Sequence, residues 1–327
     1  MSPVKTANNL AINVVNDRRA KEYKNLIDKV NKTFQTNCSQ VRVNSKLNVL
    51  SLPSGVKNIE MTVYNVGQAN FVQGIIDKNI MFLFDAGVPN STFDKCSGNP
   101  DLMIEVNRMN PILENVSNIC KMSPNYCFIL HWHDDHIKGY YAMERQSMLN
   151  VKWIMPSYLG RSDASKARLS TFLKNNDVVY EISGQRNRKI FYNDSFELYR
   201  GDLGHNMYGN HDINKDGLIL SILNKYILPG DSEYRCWPLE LKRKSSNVTD
   251  LVVPHHGGYA DVRNKSILPN FDPSKDKRVY LSTGFSEDIS KFPNDCQKNY
   301  MIKDCNFTLQ NTRDLIGKKF LIRRVVV

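Results

Sequence analysis

One stretch constrains this chain more than any other: the apolar run Phe128-Ile129-Leu130 passes directly into His131-Trp132-His133-Asp134-Asp135-His136. A short apolar run stopped by polar residues reads as a buried strand. Its ligand-type side chains are then expected to emerge together at the carboxyl end, where open α/β sheets place their sites. Imidazoles with carboxylates suit zinc, manganese or iron. His131 and His133, two apart in an extended tip, can point the same way, and one further turn carries Asp135 and His136 to a second position. The stretch can thus serve two metals about 3.5–4 Å apart. The alternative is a chance cluster on the surface. All 7 histidines, however, lie between His131 and His256, a confinement that a shared site explains.

Two later segments repeat the pattern of an apolar strand ending in a ligand. Leu218 to Leu223 and Tyr226-Ile227-Leu228 form a hairpin around Asn224-Lys225, and the second arm ends in Pro229-Gly230-Asp231. Leu251-Val252-Val253-Pro254 ends in His255-His256-Gly257-Gly258. Alone, Asp231 reads as a turn residue; beside this histidine set it is suited to bridge two metals, with Asp135 and Asp231 positioning the metals and the nucleophile. Successive side chains of an extended segment point apart, so one of His255 and His256 is expected as a ligand and the other to contact substrate or to brace the ligands. Upstream, a meander from Ile59 to Phe84 delivers Asp85-Ala86-Gly87. Asp85 is either a turn-former or a hydrogen-bonding brace for the metal loop, and Asp134, outside the ligand spacing, is expected to brace the same loop.

The rest of the chain supplies the scaffold. At 327 residues and 41% hydrophobic content, it can build one large α/β domain with appendages or two modest domains, and global disorder is excluded. Tyr23, Leu26, Ile27, Val30 and Phe34 recur at helical spacing, which gives an N-terminal helical extension over 1–57 that packs on the main domain, 58–327, or on a protein partner. Asp101 to Met122 reads as a helix bent by Pro111, leading a strand-helix-strand unit into the central strand. Gly139 to Leu149 and the basic segment Arg161 to Asn175, with Leu169, Phe172 and Leu173 inward, also read as helices. Val151 to Pro156, Val178 to Tyr180, Lys189 to Phe191, Phe196 to Tyr199 and the β-branched tail Phe320 to Val327 read as strands, the last expected to pair into a sheet. The 7 scattered cysteines form neither a CxxC pair nor a small disulfide framework and read as the reduced thiols of a cytosolic protein. No apolar run is long enough to cross a bilayer, so no membrane partner is expected.

His131-Trp132-His133-Asp134-Asp135-His136 is similar to the HxHxDH signature of the metallo-β-lactamase fold. The order of strand-Asp85, signature, Gly230-Asp231 and His255-His256-Gly257 resembles the branch that contains the hydrolase domain of ComEC/Rec2 competence proteins. Val66-Gly67-Gln68-Ala69-Asn70 is similar to that branch's VGQGD turn, and Asn214 to Leu220 to its Asn-rich hairpin. The resemblance, over roughly residues 59 to 290, implies a four-layered αβ/βα sandwich, one or two divalent ions, Zn²⁺ or Mn²⁺, and hydrolysis by a metal-bound hydroxide. It also implies roles for Asn70 and Asn214 beside the substrate or behind the ligands. Ala69-Asn70 departs from Gly-Asp, and Lys291-Phe292-Pro293 stands where many members carry Gly-His-Pro. The third ligand of the first metal is left to His205 or His211, the remaining histidines, or to a residue of another type.

Charge outside the site decides the expected substrate. A net charge of +11 favours anionic partners. Arg186-Asn187-Arg188-Lys189, Lys242-Arg243-Lys244 and Lys318-Lys319 with Arg323-Arg324 could contact phosphates, while Tyr208, Trp237 and Tyr259 could stack bases. Together they point to a nuclease acting on DNA or RNA. The alternatives are a hydrolase of small phosphodiesters, cyclic nucleotides or lipid head groups; hydrolysis of another ester or lactone; and a non-catalytic nucleic-acid-binding or regulatory module.

Overall fold

The computed structural model describes residues 50–64, 69–87, 122–137, 139–140, 148–156, 164–174, 179–182, 187–201, 217–258, 260–262, 268–282, 294–311 and 319–326. All of them belong to one compact unit, Leu47–Pro89 with Ile112–Val327. The second unit, Met1–Lys46 with Asn90–Pro111, lies outside the described residues. With it lie the expected N-terminal helix, nearly all of the helix from Asp101 to Met122, most of Gly139 to Leu149, and Lys291-Phe292-Pro293.

Strands β1 (Asn58–Tyr64), β2 (Phe71–Ile76), β3 (Ile80–Ala86), β4 (Tyr126–Phe128), β5 (Lys152–Pro156) and β6 (Val179–Ile182) come first in the chain. They are followed by β7 (Arg188–Tyr192), β8 (Phe196–Arg200), β9 (Leu218–Ile222), β10 (Tyr226–Leu228), β11 (Asp250–Val252), β12 (Lys277–Leu281), β13 (Phe307–Asn311) and β14 (Lys319–Val326). One seven-stranded sheet has the order β14-β1-β2-β3-β4-β5-β6 and the other β13-β12-β11-β10-β9-β8-β7. Both sheets change character at one place. β1, β2 and β3 are antiparallel and then β3, β4, β5 and β6 parallel; β7 to β10 are antiparallel and then β10 to β13 parallel. The parallel halves leave their carboxyl ends at one rim, and that rim carries the site. The tail strand pairs antiparallel with β1, which covers the edge of the first sheet.

Alternation of side chains explains the layers. Met61, Val63, Phe82, Phe84, Phe128 and Ile154 of the first sheet meet Leu198, Leu218, Leu220, Ile222, Leu228 and Val252 of the second in one core. Leu52 and Val56, upstream of the boundary expected at residue 58, join it. The opposite residues of the second sheet, among them Ile219, Ile227, Leu251 and Val279, pack against Tyr234, Trp237, Leu241, Tyr300 and Met301. A strand covered on both faces can be almost wholly apolar, as Leu218–Ile222 is apart from Ser221. Helix α1 (Asp134–Ile137) belongs to the site; α2 (Ala164–Lys174) lies between β5 and β6, α3 (Leu239–Lys244) between β10 and β11 and α4 (Asp295–Asn299) between β12 and β13, with Leu169 and Leu173 of α2 and Leu241 of α3 buried. Two mixed sheets packed face to face over one core, with few helices, agree with the layered sandwich expected from the sequence.

The central strand is shorter than the apolar run suggests. It ends at Phe128, because Leu130 N donates to Asp85 Oδ1 at 2.7 Å instead of to a neighbouring strand.

Candidate metal centre

A β-bulge starts the site. Between β2 and β3 the register jumps from Phe71↔Ala86 to Val72↔Phe84, leaving Asp85 unpaired with left-handed backbone, φ 54°. Bulges re-aim side chains at functional rims. Asp85 accordingly turns inward: Oδ1 accepts from Leu130 N, and Oδ2 lies 2.7 Å from His136 Nδ1. It sets the orientation of the ring and anchors the start of the histidine loop with one carboxylate, the arrangement by which carboxylates brace metal-binding histidines.

Asp231, 1% exposed, sits in the turn after β10, next to Gly230 with φ 55°. Its two oxygens face different groups. Oδ2 is 3.7 Å from His131 Nε2 and 3.7 Å from His133 Nδ1; Oδ1 is 3.0 Å from His136 Nε2 and 3.8 Å from His256 Nε2. Among the described residues, ligand atoms gather into two groups: His131, His133 and Asp231, and Asp135, His136 and His256. His256 Nε2 is 3.1 Å from Asp135 Oδ2. Among the described ligand residues, His133 at 35% exposure and Asp135 at 18% reach solvent.

These residues fit divalent cations. His131 Nε2 and His256 Nδ1 are buried without a hydrogen-bond partner, an expensive state for buried polar atoms unless something is bound there. Imidazole nitrogens and carboxylate oxygens are the donors that zinc and manganese accept. Burial, reinforced by neighbouring His133, holds the pKa of His131 well below the ordinary histidine value, so its ring is neutral and ready to ligate. Burial also opposes charge on His136, but Asp231 and Asp85 outweigh it and lift that pKa well above the usual value. Asp231 is held well below the carboxylate range: burial works against ionisation and is overcome by His136, His133 and His131.

The turn that carries His256 is not the extended segment expected from sequence. His255 and His256 both have left-handed backbone, φ 55° and 52°, at a cost of roughly 1–2 kcal/mol per residue. The two side chains still part: His256 is buried in the second group, while His255 lies outside both groups and is partly exposed. The loop holding Asp135 is locked by close backbone approach. Asn70 N donates to Asp135 O at 3.0 Å, and Gly87 N donates to Asn70 O at 2.7 Å. Ser282, at the end of β12, donates its hydroxyl to Ala69 O, and the Asn70 side chain is buried with Oδ1 unpartnered. Asp134 turns away from the ligands and pairs with Lys166 of α2, Oδ1–Nζ 3.0 Å.

Three residues expected on a phosphate-binding and stacking surface are engaged elsewhere: Lys189, Lys244 and Trp237. Lys189 pairs with Glu240 at 2.5 Å and Glu197 at 3.5 Å, and Lys244 with Glu197 at 2.5 Å and Glu240 at 3.1 Å. Two carboxylates from different elements thus offset the lysines. Lys242 Nζ donates to Arg235 O at 3.0 Å. Arg188 and Arg243 are exposed. Trp237 is a core residue, its indole N–H donating to Ser232 O at 2.9 Å, so it is no platform for bases. Arg186, His205, Tyr208, His211, Asn214 and Tyr259 lie outside the described residues, as do Lys318 and the side chains of Lys319, Arg323 and Arg324. Sequence reasoning missed Tyr234, Asn294 and Gln297, which stand behind the His255-His256 turn; single polar residues far along the chain carry no spacing that could have marked them.

No family model matches the sequence, and no curated protein does either. Among solved structures, the chain is similar to a diphosphatase of the PhnP family (12% identity, 82% of this chain and 100% of that one, TM-score 0.41). It is also similar to Zn²⁺-bound PqqB from Methylobacterium extorquens (9%, 80% and 99%, TM-score 0.39) and to the short form of human tRNase Z (13%, 60% and 76%, TM-score 0.33). At these TM-scores the likenesses add no weight to the strand order and site geometry.

Proposed function

We propose that this protein is a metal-dependent phosphodiesterase and that its substrate is nucleic acid. The observation that carries the reading is Asp231, whose two carboxylate oxygens face two separate groups of histidine and aspartate ligands. His131, His133 and Asp231 would hold one Zn²⁺ or Mn²⁺ ion, and Asp135, His136, His256 and Asp231 a second. Such ions supply Lewis-acid polarisation of a phosphoryl oxygen and activation of water. The chain's own residues supply placement. Asp231 sets the spacing of the two groups, Asp85 keeps His136 Nε2 aimed inward by holding Nδ1, and the neutral ring of His131 accepts a cation without losing a proton. The exposed edge of His133 gives a substrate its approach, and the net charge of +11 favours a polyanion there.

A second reading has an observation of its own. The pairing of Lys189 and Lys244 with Glu197 and Glu240, and the burial of Trp237, take three residues from the expected nucleic-acid track, which favours a small phosphodiester. The deciding experiment is cleavage of plasmid, linear duplex, single-stranded DNA, RNA and bis(p-nitrophenyl) phosphate in Mn²⁺ or Zn²⁺, with Asp135→Asn as control. Polymer cleavage that Asp135→Asn abolishes supports the nuclease. Cleavage of the small diester alone moves the substrate to the second reading, and no cleavage in either metal refutes both.

A further inference from the structure

The left-handed His255-His256 turn is held from behind by residues that belong to neither ligand group. Two successive non-glycine residues in this conformation persist only where their surroundings enforce it. His255 N donates to Gly230 O at 3.2 Å and Gly258 N to His255 O at 2.6 Å, closing the turn on itself and on the Asp231 loop. The rest of the restraint comes from α4. Asn294 N donates to Gly257 O at 2.7 Å, and Asn294 also caps that helix through its side chain. Gln297 is 1% exposed, and its amide has one orientation that satisfies it. Nε2 then donates to Gly257 O at 3.2 Å and to Gly258 O, while Oε1 accepts from the Tyr234 hydroxyl at 3.3 Å. The reverse orientation would set an oxygen against two carbonyls. A buried glutamine that only filled space would not need to meet both carbonyls following the histidine pair.

We propose that Gln297 is the positioning residue of the second ligand group: its amide, oriented by Tyr234, fixes Gly257 and Gly258 and so keeps His256 beside Asp135. This rests on the reading that Asp135, His136 and His256 take up a divalent cation. The test reads metal and not activity. Zn²⁺ affinity and stoichiometry of the full chain are measured by competition with a chromophoric chelator. His131→Ala and His256→Ala serve as markers for loss of each group, and thermal unfolding is followed in excess chelator. Gln297→Met keeps the length and removes the amide. It is expected to weaken the group marked by His256→Ala by about 10–100-fold, the range for residues that orient metal ligands, and to leave the group marked by His131→Ala unchanged. Unchanged affinity at both groups, or equal weakening of both together with a fall in Tm, overturns the proposal. If Gln297→Met does not fold, Tyr234→Phe decides: a smaller selective loss at the same group supports the proposal, and wild-type binding there overturns it. A wild-type chain that binds no Zn²⁺ refutes the metal reading and this inference with it, whereas intact binding in the variants refutes Gln297 alone.

Discussion

Replacing Gly87 by Ala tests the claim that the Asp135 loop is placed by backbone contact. Gly87 has no strained φ, so alanine's own backbone preference costs nothing there. The cost is contact: a Cβ would lie 1.5 Å from Asp135 O, 2.3 Å from Asp135 C and 2.9 Å from His136 N. Ordinary separation requires the loop or β3 to move by about 2 Å. That movement breaks the bonds from Gly87 N to Asn70 O and from Asn70 N to Asp135 O, each worth about 1 kcal/mol, and adds overpacking of about 1–3 kcal/mol. A loss of roughly 3–5 kcal/mol follows, large against the 5–15 kcal/mol typical of a whole domain. Metal ligands tolerate only about 0.2 Å, so the Asp135, His136 and His256 group should lose its ion even in molecules that fold. The assay is denaturant unfolding in chelator alongside Zn²⁺ stoichiometry. Gly55→Ala is the control: its φ is 63° and nothing lies within 4 Å, so it should cost only about 1–2 kcal/mol for the left-handed backbone and leave metal binding intact. A Gly87→Ala protein within about 0.5 kcal/mol of wild type and with full metal content would refute the reasoning.

Asp85→Ala leaves Leu130 N and His136 Nδ1 without their acceptor; about 2–4 kcal/mol of stability should go, with a metal affinity about 10–100-fold lower. Asp85→Asn, which retains an acceptor for one of the two donors, should lose less in both measurements. The buried phenols predict alkaline lability. Burial, then Glu60, pushes Tyr64 up to about 12, and burial raises Tyr234, Tyr280 and Tyr300 as well. A folded-state pKa above the unfolded value of 10 gives stability that is complete below pH 10 and lost as pH climbs toward 12. Tyrosinate absorbance of these residues should therefore appear together with loss of circular dichroism, and ionisation of all 15 tyrosines near pH 10 in a folded chain contradicts it. Lys189→Ala and Lys244→Ala, whose charges are already paired on a surface, should change stability by about 0–1 kcal/mol and leave the salt dependence of any nucleic-acid binding unaltered in a filter assay.

What could be read along the chain was whatever local spacing encodes. The histidine stretch announces itself because ligands two, four and five apart on a strand end and first turn are neighbours in any fold, and Asp231 and the His255-His256 pair because apolar strands stop at them. Most strands of both sheets were legible for the same reason, down to the end strand beside β1, but β13 (Phe307–Asn311) was not. Tertiary structure decided everything that depends on residues distant in sequence. Asp85 became a brace through a bulge set by pairing with β2, 45 residues before Leu130. His256, not His255, joined the ligands because Gly230, Asn294 and the loop around Gly257 impose a left-handed turn that neither histidine prefers. Lys189 and Lys244 read as a basic surface until Glu197 came to both from β8 and Glu240 came to Lys189 from α3. Sequence records which groups are present and their local period; which distant carboxylate or carbonyl meets a given side chain is determined only when the sheets pack and buried polar atoms must find partners.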